Sequence, residues 1–142
     1  MKEVFPFFAT PENLEKITPP WLNFSILTPK PVQMQKGALI DYTIRWMGLP
    51  MRWKTEIREY EPPYCFVDRQ IRGPYARWDH THTFTEVNGI TEMTDLVRYQ
   101  LPLGLLGHII HGVFIRNQLQ KIFEYRYNVI EKIFKQTSRR DL

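Results

Sequence analysis

Two histidines and two aspartates are the side chains of this sequence whose types and spacing best suit chemistry. His80 and His82 alternate within one segment, and Asp68 and Asp95 belong to neighbouring segments. Residues two apart on a β-strand point to the same side of the sheet, so both imidazoles would enter one space. Such a group has three interpretations: a metal site of two histidines and one carboxylate, an acid–base pair, or a hydrogen-bonded network.

The hydrogen-bonded network is the interpretation we favour, because buried polar groups in proteins generally find partners. It predicts no metal ion and no cofactor. Acid–base catalysis of an aldol-type cyclisation or a dehydration is the alternative, with His80, His82 and Asp95 as the candidate catalytic residues. The sequence contains no phosphate-binding loop and no nucleophile motif, and its single cysteine, Cys65, has no identifiable activating base.

The dipeptide Asn88-Gly89 predicts how the polar residues face one another. It is the strongest short signal for a two-residue hairpin turn, which would pair Val87 with Ile90. The same register places His82 opposite Asp95 on one face of the sheet. An interior charge without a partner would cost several kcal/mol, so we expect these two side chains to bond each other.

Period-two alternation of apolar and polar residues predicts six strands separated by turn residues. The predicted strands are Leu22 to Thr28, Ala38 to Met47, Met51 to Tyr60, Tyr64 to Arg72, Tyr75 to Val87 and Ile90 to Leu101. Two short helices, Val4 to Ala9 and Pro11 to Ile17, precede them. Apolar residues at helical spacing predict one long helix from about Leu105 to Lys135, and residues 137–142 are expected to form a frayed tail. A curved antiparallel meander must bury its concave face against that helix.

Aromatic residues make up 14% of the chain, which indicates that they line a large apolar space. Plain core packing would account for aromatic residues on inward faces. Their mixture with histidine and aspartate instead favours a mostly apolar cavity with a few polar groups that orient a ligand. The predicted cavity residues are Trp46, Trp53, Phe66, Trp78, His80, His82, Asp95, Tyr99, Phe114 and Phe123.

Composition and charge exclude several classes of protein. The net charge of +4 is spread along the chain without a basic block, which argues against a nucleic-acid partner. The longest apolar stretch, Leu101 to Ile110, is interrupted by Pro102 and is about half as long as a membrane span. A single cysteine, Cys65, excludes an internal disulfide and fits a reducing cytoplasm.

Several motifs together point to one family. They are Val4-Phe5-Pro6-Phe7-Phe8 followed by Pro11-Glu12-Asn13-Leu14; Thr18-Pro19-Pro20-Trp21-Leu22; Arg72-Gly73-Pro74 with Trp78, His80, His82 and Phe84; and Met93, Asp95, Val97, Tyr99, Leu101 and Pro102. Over nearly its whole length the chain resembles the START/polyketide-cyclase-like (SRPBCC) superfamily, and within it a bacterial cyclase/dehydrase-like subgroup. The resemblance implies the helix-grip fold of the birch-pollen allergen, of the α+β class, in a single START-like domain over residues 1–142.

The resemblance also implies a role in binding, transporting or sequestering a hydrophobic or amphipathic small molecule, such as a lipid, a quinone or a polyketide-like compound. It implies no specific catalytic residues, because members of the superfamily differ in function. A cyclase or dehydratase that uses the His80, His82 and Asp95 group is the alternative.

One feature of the superfamily has no counterpart in this sequence. Relatives usually have a strand before the segment that matches Val4 to Phe8, and here the sequence begins almost at that helix. Either the strand lies outside this sequence, or the sheet has six strands and leaves an edge that must be covered or paired. A homodimer, or another protein interaction through the open edge, is the hypothesis that this raises.

Overall fold

The chain opens with short helical segments that are punctuated by prolines. The computed structural model describes residues 1–102 and 104–140, and the side chains of residues 1–102, 104 and 112–135. Helix α1 spans Val4–Phe8 and helix α2 spans Leu14–Ile17, with 3₁₀ turns at Pro11–Asn13 and Pro20–Leu22 on either side of α2. A proline begins each 3₁₀ turn because the first position of a helical turn does not need the N–H that proline lacks.

A single antiparallel sheet of six strands follows, with the strands adjacent in chain order. The strands are β1 (Ser25–Ile26), β2 (Leu39–Trp46), β3 (Leu49–Glu61), β4 (Cys65–Arg72), β5 (Arg77–Val87) and β6 (Ile90–Gln100). A long helix, α3 (Gly104–Arg140), closes the chain. The architecture confirms the predicted α+β helix-grip class: a curved meander, one long C-terminal helix and short N-terminal helices.

Helix α3 is longer at both ends than the predicted helix. The sequence predicts that residues 137–140 are part of a frayed tail, but they are the last residues of this helix. The remaining two residues of that tail, 141 and 142, lie outside the described residues.

The first and third strands depart most from the predicted lengths, and the other four are one or two residues shorter than predicted. The first is reduced to two residues, because the preceding 3₁₀ turn continues to Leu22 and the chain leaves the sheet near Thr28. There the backbone N–H groups of Leu27 and Thr28 both donate to the carbonyl of Asp41. The third begins at Leu49, because Met47 and Gly48 alone form the turn, with φ angles of 51° and 80°. Positive φ at both central positions is the type I′ geometry that joins two strands most tightly.

The β5–β6 hairpin has the predicted register. Val87 pairs with Ile90, and His82 pairs with Asp95 along the same ladder. Asn88 has a φ of 52° and Gly89 a φ of 78°, as a type I′ turn requires. The turn chemistry of two residues therefore sets which side chains of β5 and β6 face each other.

Asp79 on the outer face of the sheet is unexpectedly buried for a residue on the polar side. Its carboxylate accepts hydrogen bonds of 2.5 Å from Arg69 Nε on β4 and from Arg77 Nε on β5. Burial acts to raise the pKa of Asp79, but the hydrogen bonds and charges of the two arginines lower it below its usual value. The outer face is therefore held together by a local ionic group that spans two strands.

Helix α3 packs on the concave face of the sheet at two places. Near its start, Ile115 joins a cluster of buried residues with Trp53 and Leu101. Near its end, Phe134 packs with Phe5 and other aromatic residues of the first helix and the sheet. None of the helices in the described part of the chain has the length and apolar character to cross a membrane.

The two edges of the sheet differ greatly. One edge is the two-residue β1, and the other is β6, whose eleven residues pair on one side only with described strands. An edge strand presents unpaired N–H and C=O groups that can pair with another chain. A homodimer through the open edge stays a prediction of the sequence analysis.

The connection between β4 and β5 contains Gly73, and we predict that a side chain at this position destabilises the protein. The Gln70 side chain bonds the backbone N–H and C=O of Tyr75, and its Oε1 lies 2.4 Å from where a Cβ on Gly73 would be. Gly73→Ala should therefore displace Gln70 and lower the free energy of unfolding by about 1–2 kcal/mol. Urea denaturation measures the effect.

Gly112 on α3 is the matched control, because a Cβ there meets no other atom within 4 Å. Gly112→Ala should raise the free energy of unfolding by about 0.5–1 kcal/mol, since glycine is unfavourable inside a helix. Equal effects at the two positions would show that Gln70 does not hold the connection.

Candidate functional site

A cavity of about 180 Å³ lies between α3 and the concave face of the sheet. Strands β2 to β5 contribute alternate residues to its wall, the N-terminal helical segments close one end, and α3 covers it with Leu119, Ile122, Phe123 and Arg126. The alternation of side chains along each strand puts every second residue into the cavity. The fold therefore encloses a small space and does not fill it with core side chains.

Most of the predicted cavity residues lie in this wall. They are Trp46, Trp53, Phe66, Trp78, His80, His82 and Phe123. Asp95 and Tyr99 instead line an open groove of about 580 Å³, which Arg116 of α3 also lines. Phe114 is outside the wall and 44% exposed. Because β6 is the edge strand, its inward-facing residues line the open groove between this strand and α3 and not the cavity.

Aromatic rings form the apolar part of the wall. The ring centre of Trp53 lies 5.5 Å from that of Trp78, with the planes at 86°, and 5.7 Å from that of Tyr75, at 60°. Tyr42 stacks on Trp53 at 5.9 Å and 15°. Edge-to-face and offset contacts are the arrangements that aromatic pairs prefer. Each ring is thus positioned by its neighbours, and the wall presents a defined surface to a ligand.

Two imidazoles and two carboxylates form a compact group at one side of the cavity. His80 Nε2 lies 2.9 Å from Asp95 Oδ1, and His80 Nδ1 lies 3.6 Å from Asp68 Oδ2. His82 Nε2 lies 3.0 Å from Asp68 Oδ2, and His82 Nδ1 lies 2.9 Å from Asp95 Oδ1. Each carboxylate therefore faces one nitrogen of each imidazole, and the ring centres are 3.9 Å apart.

The hydrogen bonds in this group run diagonally across the sheet. The predicted contact between His82 and Asp95 is present as an ion pair, whereas the hydrogen bond of His82 is to Asp68 and that of Asp95 is to His80. The short distance from His82 Nδ1 to Asp95 does not have the geometry of a hydrogen bond. Strand pairing sets His82 opposite Asp95 and His80 opposite Asp68, so each hydrogen bond joins an imidazole to the carboxylate of the other pair.

Opposite protonation is favoured on the two imidazoles. Burial lowers the pKa of His80, and the charge of His82 lowers it further. Burial also acts to lower the pKa of His82, but its contacts with Asp68 and Asp95 outweigh burial and raise that pKa. Burial acts to raise the pKa of Asp95, while the two imidazoles lower it well below its usual value. The group therefore favours an imidazolium at His82 between two carboxylates, beside a neutral His80.

The same residues meet the basic requirement for a metal site. One ligand atom each from Asp68, His80 and His82 lie within 4.8 Å of one another. Two imidazole nitrogens and a carboxylate oxygen are a set that first-row transition metals accept. Two hydrogen bonds, His80 to Asp95 and His82 to Asp68, already join these side chains without a metal, and His82 Nδ1 is left without one. The geometry of these side chains allows metal binding but does not require it.

Arg126 is a polar residue of the cavity wall that is not among the predicted cavity residues. It lies on α3, its guanidinium carbon is 5.5 Å from the ring centre of Phe123, and its Nε and Nη2 atoms are buried without a hydrogen-bond partner among the described residues. A sequence signal exists: Arg126 follows Phe123 by three residues and precedes Ile130 by four, which places it on the apolar side of an amphipathic helix.

Comparison with known proteins identifies relatives of the fold. The sequence model of the family described as "Polyketide cyclase / dehydrase and lipid transport" matches residues 1–137. The chain is similar to protein Ms6760 from Mycobacterium smegmatis, with 21% identity, a TM-score of 0.64 and coverage of 94% of this chain and 83% of that one. It is similar to protein TTHA0849 from Thermus thermophilus, with 16% identity, a TM-score of 0.61 and coverage of 86% and 82%. No curated protein matches the sequence.

Loss of one imidazole should expose the dependence of the fold on this group. His82→Ala leaves Asp68 and Asp95 facing a space without the cation between them, so the free energy of unfolding should fall by about 3 kcal/mol. Thr83→Ala, at the neighbouring exposed position, is the control and should change it by less than about 0.5 kcal/mol. Equal values for the two variants, measured by urea denaturation, would contradict a cationic His82 that holds the carboxylates together.

Proposed function

Since the chain belongs to the polyketide cyclase/dehydrase and lipid transport family, we propose that it binds a compact, largely apolar small molecule in the cavity beneath α3. The observation that carries this proposal is a cavity between the sheet and α3 that is walled by aromatic rings, with polar side chains confined to a few positions. Apolar pockets with a small number of placed polar groups are typical ligand sites.

The size and shape of the cavity favour rings over chains. Its volume of about 180 Å³ is below the roughly 300–1,000 Å³ of pockets that hold drug-sized molecules. Flat indole and phenol rings of Trp53, Trp78 and Tyr75 offer faces and edges against which another ring can stack. A quinone or a polyketide-like ring system therefore suits this wall better than a lipid with a long acyl chain.

The polar group of residues gives such a ligand an orientation. His80 and His82 lie in the same wall as the aromatic residues, and both are buried. A ligand carbonyl or hydroxyl directed toward the imidazoles would leave the ring system against Trp53 and Trp78. Binding of this kind requires no turnover and suits a protein that transports or sequesters its ligand.

Ligand retention tests the proposal directly. Native mass spectrometry of the purified protein, followed by organic extraction, should find a ring-containing small molecule bound in an amount close to that of the protein. Thr55→Phe should abolish retention, because Thr55 is buried in the cavity wall and the larger ring would occupy the space.

Thr83→Phe, an equal change at an exposed position on β5, should retain the ligand. Folding of both variants is checked by circular dichroism. Retention by a folded Thr55→Phe variant would show that the ligand binds elsewhere, and an empty wild-type protein that also fails to take up ring compounds would contradict the proposal.

A cyclase or dehydratase reaction in the same cavity is the second candidate function. The observation that favours it is His80, whose ring lies in the cavity wall while its Nε2 is held by Asp95 at 2.9 Å. An imidazole oriented by a carboxylate is a common arrangement for a general acid or base, and such groups contribute about 10²–10⁴-fold to rate.

The two functions differ in what happens to the extracted ligand. If the protein is an enzyme, the molecule extracted from His80→Gln protein is unreacted substrate, and excess wild-type protein changes its mass or its absorption spectrum at least about 100-fold faster than His80→Gln does. An unchanged ligand after incubation with wild-type protein would leave binding as the function.

A further inference from the structure

Arg126 places a positive charge in the wall of an otherwise mostly apolar cavity. The residue lies on the cavity side of α3, beside Ile122 and Phe123, and its Nε and Nη2 atoms are buried. The contact with the Phe123 ring does not satisfy these N–H groups, and a buried N–H that donates no hydrogen bond is costly because it has lost its water without gaining an acceptor. The packing of α3 therefore does not explain why an arginine occupies this position.

The nearby carboxylates do not satisfy these atoms. Asp68 and Asp95 are engaged by the two imidazoles at 3.0 and 2.9 Å, and neither accepts a hydrogen bond from Arg126. They attract the guanidinium only through space, since its charge acts on Asp95 without a direct bond. The Nε and Nη2 atoms of Arg126 thus have no acceptor among the described side chains.

The identity of the two atoms indicates what would satisfy them. Nε–H and one N–H of Nη2 lie side by side along one edge of a guanidinium and point the same way. Two oxygens of a carboxylate match this pair with two parallel hydrogen bonds, which a single carbonyl or hydroxyl oxygen cannot do. Arginine is the side chain best suited to bind a planar anion in this way in a buried site.

A second unpaired donor lies in the same cavity. Trp53 Nε1 is buried without a hydrogen-bond partner among the described residues, and Trp53 stacks on Tyr42. Tyr42 is within reach of the Arg126 charge, which acts to lower its pKa although burial raises that pKa overall. The unpaired donors of the sheet and of the helix therefore line the same cavity.

We propose that Arg126 binds the carboxylate of an aromatic or fused-ring acid, whose ring system packs against Trp53 and the neighbouring aromatic wall. The inference rests on the proposed ligand-binding function and adds the charge class of the ligand. It assigns Arg126 as the residue that distinguishes an acid from a neutral molecule of the same shape.

A pair of nearly isosteric compounds tests the inference. Naphthalene-2-carboxylate and naphthalene-2-carboxamide have the same ring system and differ in charge. By isothermal titration calorimetry, the wild-type protein should bind the carboxylate at least about 10-fold more tightly than the amide, as expected for hydrogen bonds between charged groups. Arg126→Gln should bind both compounds with affinities within about threefold of the wild-type affinity for the amide.

Arg116→Gln is the matched control, because Arg116 is an exposed arginine of the same helix and lies outside the cavity. It should keep the wild-type preference. Arg126→Met serves as a second variant and should fold about as stably as the wild type, since the loss of the Phe123 contact and of the attraction to Asp95 is offset by removal of two buried donors without an acceptor.

The outcomes separate the inference from the function on which it rests. Binding of neither compound by the wild-type protein would overturn the proposed ring-binding function and the inference with it. Equal binding of both compounds would overturn the inference and keep the function. A preference for the carboxylate that persists in both Arg126 variants would also overturn it, because the anion would then be bound by other residues.

Discussion

The packing of α3 against the concave face of the sheet is the constraint on which the other features depend. The helix is held near its start by Ile115 and Leu101 and near its end by Phe134 and the aromatic residues of α1. Both surfaces are apolar and neither has another partner among the described elements, so burial of the two against each other stabilises the domain. Between the two contacts the strongly curved sheet stands away from the helix, and the space left is the cavity.

Burial changes which of the few polar side chains in the cavity wall are protonated. In water, an imidazole and a carboxylate interact weakly, whereas in a buried site the same contact decides which group is protonated. His82 is held between two carboxylates, and His80, only two residues away, has a lowered pKa because it is buried and because its neighbour carries the charge. Aromatic side chains supply area and polar ones supply direction, which is the division of roles that a site for an amphipathic ligand needs.

The position of β6 at the edge of the sheet divides the predicted site between two surfaces. Asp95 has its backbone on the exposed edge strand and its side chain turned toward the histidines, with 23% of that side chain exposed. It therefore lines the outer groove while its hydrogen bond reaches His80 in the cavity wall. Through this bond the cavity is connected to the only long edge among the described strands.

Local patterns in the sequence determined the elements and much of their pairing. The Asn88-Gly89 turn specifies the β5–β6 register because only a two-residue turn with positive φ at both positions fits that dipeptide well. Alternation then places His80, His82 and Trp78 on the inner face, and helical periodicity defines α3 over most of its length. The family motifs lead to the same fold, since they lie at the helix, turn and strand positions that the periodicity predicts.

Only the tertiary structure decided which inward-facing residues enclose the cavity and which partners they choose. Periodicity assigns a side chain to a face but carries no information on the distance between segments far apart in the chain. The diagonal bonds of the histidines, the exposure of Phe114 and the buried Nε and Nη2 atoms of Arg126 all depend on how far the sheet curves and where α3 crosses it. Those distances result from the packing of the whole domain, and this is why the polar contacts of the site could not be derived from the residues alone.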